Sequence, residues 1–147
     1  LCPDGVSHAV LIGAGGVGRA IQLALAKVGA GRVTVLRRSD GSIQRLAEEL
    51  ASADLLINAT PVGTGSDESL VPAAQLRPDL AVLDLVYRPS PTRLVREARA
   101  AGAPAEAGAA ILLGQAWRSL ELWLGRTAPV ARMRAALDAE LGASTDV

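Results

Sequence analysis

The chain has 147 residues, of which 15 are Lys or Arg and 15 are Asp or Glu, so its formal net charge is zero at pH 7. This balance argues against a nucleic-acid partner, and no apolar run is long enough to cross a bilayer. A single cysteine, Cys2, and a single histidine, His8, exclude an internal disulfide and a Cys- or His-rich metal site. We therefore expect one cytoplasmic domain over 1–147 without a membrane contact or a bound metal.

Apolar runs, helical periodicity and stop signals alternate along the chain. In chain order they predict a strand over 9–12, a helix over 16–28, a strand over 32–36, a helix after Ser42, a strand over 54–58, a loop over 61–75 with one helical turn from Pro72, a strand over 80–85, a helix from Thr92 to residue 99, a strand over 103–106, and helices over 108–124 and 129–141. Ser42 and Thr92 are the predicted N-caps, because a short side-chain oxygen accepts from free amides there. Residues 142–147 are expected to fray.

The alternation predicts the fold class. Near-continuous apolar strands indicate a parallel sheet covered by helices on both faces, and right-handed crossovers make such a sheet doubly wound. We therefore predict an α/β fold, a Rossmann-like three-layer α/β/α sandwich.

The turn after the first strand carries the pattern G-x-G-x-x-G at Gly13, Gly15 and Gly18. In this position Gly13 permits the tight turn, Gly15 lets the backbone approach a pyrophosphate, and Gly18 lets the helix pack closely. The following helix offers free amides and the positive end of its dipole to phosphates. The pattern predicts dinucleotide binding, and a plain structural turn is the alternative.

The residues at the end of the second strand separate the two nicotinamide dinucleotides. An acidic side chain there accepts from the ribose of NAD, whereas cationic side chains suit the extra phosphate of NADP. Here Arg37, Arg38 and Ser39 occupy that place, and guanidinium groups can hold a phosphate through paired hydrogen bonds. Asp40 opposes this interpretation, because a carboxylate repels phosphate and suits a ribose. We favour NADP.

The helix over 108–124 has apolar residues at three-and-four spacing. This spacing predicts a core stripe formed by Leu113, Ala116, Trp117, Leu120, Trp123 and Leu124. Gln115 lies about 200° from Leu113 around the axis, so it is expected to face away from the core beside Ile111 and Arg118. Its amide could donate to and accept from a polyhydroxy ligand, and an ordinary solvated glutamine is the alternative.

Five segments, in order, resemble the cofactor-binding half of the shikimate dehydrogenase family. They are GAGGVGRA at 13–20, RRS at 37–39, INATPVG at 57–63, DLVYRP at 84–89, and GAAILLGQA at 108–116, which continues as LELW at 120–123. The chain departs from the family pattern at Arg37, where asparagine is usual, and at Ala110 and Ile111, where glycine and methionine are usual. The departures at Ala110 and Ile111 concern substrate preference more than nucleotide binding.

The resemblance implies an NADP(H)-binding domain that reduces 3-dehydroshikimate to shikimate in aromatic amino-acid (chorismate) biosynthesis. The cofactor-binding residues that it implies are Gly13, Ala14, Gly15, Gly16, Val17, Arg37, Arg38, Ser39, Ala59, Thr60, Pro61, Leu85, Gly108 and Ile111. Tyr87 and Gln115 are the residues implied to reach the substrate.

The resemblance also implies an amino-terminal substrate domain that supplies a catalytic Lys and Asp pair. Neither can be placed here, because the only lysine, Lys27, falls within the first long helix and the family's Asn-Thr-Asp segment has no counterpart. We expect that domain to be absent from this chain, and we expect no catalytic residue and no turnover by the chain alone. An NAD-dependent quinate or shikimate dehydrogenase and a free-standing, non-catalytic nucleotide-binding module stay open as alternatives. A homodimer also stays open.

Overall fold

The computed structural model describes residues 5–142, so Cys2 and the tail 143–147 lie outside the described residues. The elements, in chain order, are β1 His8–Ile12, α1 Gly16–Lys27, β2 Arg32–Leu36, α2 Leu46–Leu50, β3 Leu55–Asn58, β4 Ala81–Asp84, α3 Arg93–Ala100, β5 Ala105–Ala107, α4 Gly108–Leu124 and α5 Val130–Gly142. Short 3-10 turns lie at Ser42–Arg45 and Ala73–Gln75. The predicted helical turn after Pro72 is confirmed.

All five strands pair in parallel in the order β2-β1-β3-β4-β5. Ile12 at the end of β1 is in register with Leu36 of β2 and with Asn58 of β3. The chain leaves β1 toward β2 on one side and continues with β3 on the other, so a crevice opens between the β1 and β3 carboxyl ends. The predicted doubly wound parallel sheet is confirmed.

Apolar side chains cover both faces of the sheet. Val10 and Ile12 of β1 belong to one buried cluster, which also includes Leu50 of α2. The intervening Ala9 and Leu11 belong to a second cluster with a residue of α1. Because alternate residues of a strand point to opposite faces, these two clusters are the two interfaces of the predicted three-layer sandwich.

The helix after β2 begins differently from the prediction. Ser42 is the first residue of a 3-10 turn whose N-cap position is Gly41, and α2 begins only at Leu46. The Ser42 hydroxyl accepts from the backbone amide of Arg37 at 2.8 Å and donates to the Asp40 carboxylate at 2.6 Å. Ser42 as an N-cap is therefore wrong, because its hydroxyl bonds residues that precede it. The other predicted cap is confirmed, since the Thr92 side chain accepts from the amide of Val95.

The core stripe of α4 is shorter than its apolar spacing predicts. Leu113 is buried, but Trp123 is 77% exposed and Leu124 is 60% exposed. A helix of this length extends for about 25 Å, whereas a three-residue strand such as β5 extends for about 10 Å. The last turn of α4 is therefore not covered by the core, and the prediction for Trp123 and Leu124 is wrong.

The lone histidine has a structural place at the amino-terminal edge of the sheet. His8 is buried, with Nε2 3.0 Å from the Thr34 hydroxyl and Nδ1 2.9 Å from an Arg32 guanidinium nitrogen. Glu49 accepts from that Thr34 hydroxyl at 3.1 Å. These hydrogen bonds satisfy both ring nitrogens of the buried imidazole, which lies at the opposite end of β1 from Gly13.

A buried network joins the carboxyl ends of β3 and β4. Asp84 accepts from the Asn58 amide nitrogen at 2.9 Å, from the Val86 backbone amide at 3.1 Å and from the Thr92 hydroxyl at 2.7 Å. Asn58 in turn accepts from both the amide and the hydroxyl of Thr60. Burial raises the pKa of the Asp84 carboxyl, against the opposing effect of these three donors. The network fixes the first residues that follow both strands.

The raised pKa of Asp84 predicts a pH-dependent stability difference. Below the ordinary carboxyl pKa of 3.8 the group is protonated whether the chain is folded or unfolded. As the pH rises above that value, the unfolded chain loses the proton first, so the buried carboxyl destabilises the fold progressively. We expect the free energy of unfolding of Asp84→Asn, relative to the unsubstituted chain, to increase between pH 4 and neutral pH.

Urea unfolding at a series of pH values measures this difference. A hydrogen bond changed by the substitution adds only a constant offset, and Asp138→Asn on the exposed face of α5 reports the effect of losing a surface charge. A difference that stays level or decreases with pH contradicts the prediction.

Gly108, where α4 begins, lies against the chain that leaves β4. A Cβ at Gly108 would stand 2.1 Å from the Leu85 carbonyl oxygen, whereas a Cβ at Gly114 in the same helix would meet nothing within 4 Å. We expect Gly108→Ala to lower the free energy of unfolding by about 2 kcal/mol or more, because backbone has to move. Gly114→Ala, the matched control, should raise it by up to about 1 kcal/mol.

Denaturant unfolding of both variants checks this expectation. Equal stability of the two variants would contradict the close contact at Gly108.

Candidate functional site

Two adjoining pockets open at the carboxyl ends of the strands, where β1 and β3 diverge. The first has a volume of about 710 Å³ and is lined by residues 12–15, 36–39 and 60–62 with Arg19, Gln22 and Leu70. The second, of about 410 Å³, is lined by residues 59–61 and 85–88 with Val17 and Thr64. The pockets share Thr60 and Pro61, so one elongated ligand could occupy both.

The glycine turn forms the floor of the first pocket. Gly13 has a φ of +103°, and a Cβ there would stand 2.8 Å from the Ala59 carbonyl oxygen. A Cβ at Gly18 would stand 2.5 Å from the carbonyl oxygen of Gly13. These values confirm the tight turn predicted at Gly13 and the close packing of the helix predicted at Gly18.

Gly15 differs from the other two glycines of the pattern. It is the N-cap residue of α1, and a Cβ there would meet nothing within 4 Å. No side chain caps this helix, and Gly15 lines the pocket, so the positive end of the helix dipole lies beside the pocket without a side-chain acceptor. Such a helix start is suited to bind phosphate oxygens, and the open space at Gly15 leaves room for them.

The end of β2 brings positive charge to the same pocket. Arg37, Arg38 and Ser39 are exposed and line it together with the glycine turn. The Gly13 amide donates to the Leu36 carbonyl at 2.9 Å, which fixes the turn beside β2. The structure therefore brings together the two segments that the sequence predicts to hold a dinucleotide.

Arg19 also lines the first pocket, although none of the sequence motifs predicts it as a site residue. It lies on the first turn of α1, and its amide donates to the Gly15 carbonyl at 3.0 Å. Gln22, one helical turn later, lines the same pocket and donates to the Gly18 carbonyl. The available signal was spacing, since Arg19 follows Gly15 by four residues and i, i+4 positions share one face of a helix.

Asp40 lies outside the first pocket, although it follows Ser39 directly. Its carboxylate accepts from the hydroxyl and the backbone amide of Ser42, at 2.6 Å and 3.0 Å. These two bonds, with the nearby Arg37 guanidinium, hold the pKa of Asp40 below its ordinary value. The carboxylate therefore stays ionised and is bound within its own loop.

The second pocket lies between the loop after β3 and the chain after β4. Ala59, Thr60 and Pro61 line one side, and Leu85 and Tyr87 line the other. The Asn58–Asp84 network described above holds these two segments. Tyr87 is 43% exposed, so its ring is available to a ligand from the solvent side.

Several predicted site residues lie outside both pockets. Gly108 is buried at the start of α4, and Gly16 is exposed at the start of α1. Ile111 is 44% exposed, and the Gln115 amide donates to the Leu112 carbonyl at 3.2 Å. The exposure of Gln115 confirms that it faces away from the core, whereas the cofactor and substrate roles of these residues stay predictions.

The only lysine lines neither pocket, and the described residues offer no metal site. Lys27 is exposed at the last position of α1, about 17 Å along the helix axis from Gly16. Across residues 5–142, no three His, Cys, Asp or Glu residues are grouped so that they could hold a metal ion. None of the helices in that range is both long and apolar enough to cross a membrane.

By sequence, the chain is similar to a family model and to proteins of known function. The family model described as the shikimate 5'-dehydrogenase C-terminal domain matches residues 108–137. The shikimate dehydrogenase (NADP(+)) of Halorubrum lacusprofundi is 47% identical over 149 aligned positions, which cover 90% of this chain and 54% of that protein.

Two solved structures match the fold over 93% of this chain. One is shikimate 5-dehydrogenase from Thermus thermophilus in complex with NADP(H) and shikimate, which is 36% identical, with a TM-score of 0.79 and 56% of its chain covered. The other is quinate dehydrogenase from Corynebacterium glutamicum in complex with NAD, which is 29% identical, with a TM-score of 0.81 and 57% of its chain covered.

The chain spans about half the length of the curated relatives that it matches. The alignment with the Halorubrum protein covers nearly the whole of this chain. The fold of the chain also agrees with that of the Thermus enzyme. The resemblance predicted from the five segments is thereby confirmed, and the chain belongs to the shikimate dehydrogenase family.

Proposed function

We propose that this chain is the NADP(H)-binding domain of a shikimate dehydrogenase-like oxidoreductase, which reduces 3-dehydroshikimate to shikimate. The observation that carries the proposal is the first pocket, which joins an uncapped helix start to Arg37, Arg38 and Ser39. Uncapped amides suit a pyrophosphate, and guanidinium groups beside them suit the additional phosphate of NADP.

The proposed contacts follow the two pockets from one end to the other. The turn from Gly13 to Val17 binds the pyrophosphate, and Arg37, Arg38 and Ser39 bind the adenosine phosphate. Ala59, Thr60, Pro61 and Leu85 border the nicotinamide end, since they line the second pocket, and Gly108 and Ile111 approach that end from α4. When bound, the dinucleotide supplies or accepts the hydride.

The substrate contacts that we propose are Tyr87 and Gln115. Tyr87 lines the second pocket with a partly exposed ring, which suits contact with a ligand beside the nicotinamide end. Gln115 presents an exposed amide on α4, and an amide can both donate to and accept from a hydroxylated carboxylate.

We propose that the proton relay of the reaction comes from outside residues 5–142. Hydride transfer at a carbinol needs a group that accepts or returns the hydroxyl proton. The only lysine is exposed at the far end of α1, away from both pockets. We therefore propose a substrate domain apart from this one, and no turnover of shikimate by this chain alone.

An NAD-dependent hydroaromatic dehydrogenase is the second candidate. The relative from Corynebacterium glutamicum is a quinate dehydrogenase seen with NAD, and Asp40 is an acidic residue near the end of β2. The choice between the two candidates depends on Arg38, because a bound phosphate needs its charge whereas a ribose hydroxyl does not.

Gly15→Val tests the phosphate turn. The position has a φ of −66° and open space around it, so the variant should fold, while its side chain should fill the space that we assign to the pyrophosphate. We expect binding of both NADP and NAD to be lost in isothermal titration, with the thermal unfolding temperature nearly unchanged. Gly114→Val, at an open position of α4, should bind normally. Unimpaired binding by Gly15→Val would remove the turn from the site.

Arg38→Ala separates the two dinucleotides. A lost charge-assisted bond costs on the order of 1–3 kcal/mol, so the Kd for NADP should rise about tenfold to a hundredfold while the Kd for NAD stays the same. Titration at one fixed salt concentration measures both, and Arg132→Ala on exposed α5 controls for general charge. Equal losses for the two nucleotides would overturn the assignment of Arg38.

A further inference from the structure

An acidic side chain near the end of β2 conflicts with the binding of a phosphate there. In dinucleotide-binding folds, a carboxylate at this place accepts from the ribose hydroxyls of NAD, whereas a cationic side chain accommodates the phosphate of NADP. Asp40 follows Arg38 by two residues, so both signals occur within one short loop. Residue identity alone does not say which of them acts on the ligand.

The loop geometry separates the two side chains. Arg37, Arg38 and Ser39 line the first pocket, whereas Asp40 and Ser42 lie outside it. The Gly41 amide donates to the Arg38 carbonyl at 3.2 Å, and Gly41 has a φ of +74°. This tight turn reverses the chain between Arg38 and Ser42, so the residues beyond Ser39 leave the pocket wall.

The hydroxyl and the amide of Ser42 bind the same oxygen of Asp40, at 2.6 Å and 3.0 Å. The other carboxylate oxygen lies 3.7 Å from the Arg37 guanidinium. Ser42 also accepts from the Arg37 amide at 2.8 Å, which fixes its hydroxyl oxygen relative to the end of β2. Asp40 is therefore bound on both of its oxygens and directed at its own loop.

We propose that Ser42 is a specificity-determining residue, which favours NADP by holding the Asp40 carboxylate away from the phosphate position beside Arg38. This inference rests on the proposed function, since it assumes that Arg38 faces the adenosine phosphate. Ser42 acts through Asp40 and does not itself contact the ligand. Once released, the carboxylate could pair with Arg38, oppose the phosphate or accept from a ribose, and each of these effects favours NAD relative to NADP.

A cycle of four proteins tests the proposal: the unsubstituted 147-residue chain, Ser42→Ala, Asp40→Asn and the double variant. The quantity measured is the ratio of the Kd for NAD to the Kd for NADP, at one salt concentration. We expect Ser42→Ala to lower this ratio at least fivefold. Asp40→Asn should leave it within twofold, and the double variant should return to within twofold of the unsubstituted chain.

The double variant separates specificity from a structural role. If Ser42 merely stabilises the loop through Arg37, its removal acts equally with and without the carboxylate. A reduced ratio that persists in the double variant would therefore overturn the proposal. So would an unchanged ratio in Ser42→Ala, or a severalfold higher ratio in Asp40→Asn alone, because that increase would mean that Asp40 already opposes NADP.

Two further variants keep the test decisive if Ser42→Ala does not fold. Asp40→Glu leaves Ser42 and its bond to Arg37 intact but moves the carboxylate outward by one methylene, so it should lower the ratio. Ser42→Thr keeps the hydroxyl and should preserve the ratio. An unchanged ratio in Asp40→Glu, or a lowered one in Ser42→Thr, overturns the inference.

Arg38→Ala, measured in the same series, distinguishes a failure of the role of Ser42 from a failure of the proposed function. If it weakens NADP selectively while Ser42→Ala changes nothing, the proposed function stands and only the role of Ser42 fails. If the unsubstituted chain binds neither nucleotide, the proposed function itself fails.

Discussion

The hydrogen bond between Asn58 and Asp84 joins the carboxyl ends of two neighbouring strands, and the walls of both pockets depend on it. Parallel pairing brings these ends to one edge, and backbone bonds from Ala59 to Ile12 and from Leu85 to Asn58 extend it by one residue. Through Asn58 the network holds Thr60, which lines both pockets, and through Asp84 it holds the amide of Val86. A buried carboxylate with three donors is costly to form and unfavourable to distort, which suits a wall that has to keep its shape.

Backbone and side chains contribute differently to the first pocket. Its floor is backbone, held by contacts at Gly13 and Gly18 that leave no room for a Cβ. Its rim is made of exposed side chains at the end of β2. The floor can therefore recognise what all dinucleotides share, whereas the rim can distinguish one from another. This division explains why a substitution at Gly15 is expected to affect both NADP and NAD, whereas a substitution at Arg38 is expected to affect NADP alone.

Much of the fold could be predicted from the sequence, because it rests on local patterns. Apolar strands, the glycine turn and the Thr92 cap each depend on neighbouring residues, and these predictions are confirmed. Trp123 was misassigned because helical spacing identifies an apolar face but not how far a sheet extends beneath it. The Asp84 network and the orientation of Asp40 also escaped prediction. The Asp84 network depends on partners that folding brings together, including residues 26 and 8 positions away in the chain. The partner of Asp40 is only two residues away, but residue type alone does not decide whether Ser42 caps the next helix or bonds the residues before it.

The second pocket supports a separate source for the proton of the proposed reaction. The Thr60 hydroxyl donates to Asn58 at 2.7 Å and accepts from the Val62 amide, so its hydrogen is already engaged. Arg88 is paired with Glu140 at 2.6 Å, and a guanidinium does not give up its proton in proteins. Among the side chains that line this pocket, Thr64 and Tyr87 remain. Thr64 is exposed, and the ring of Tyr87 is partly exposed. These groups can orient a ligand and exclude water from one side, while a tuned acid or base requires a sheltered position with a specific partner. The geometry thus suits a domain that presents the dinucleotide to chemistry completed by residues outside it.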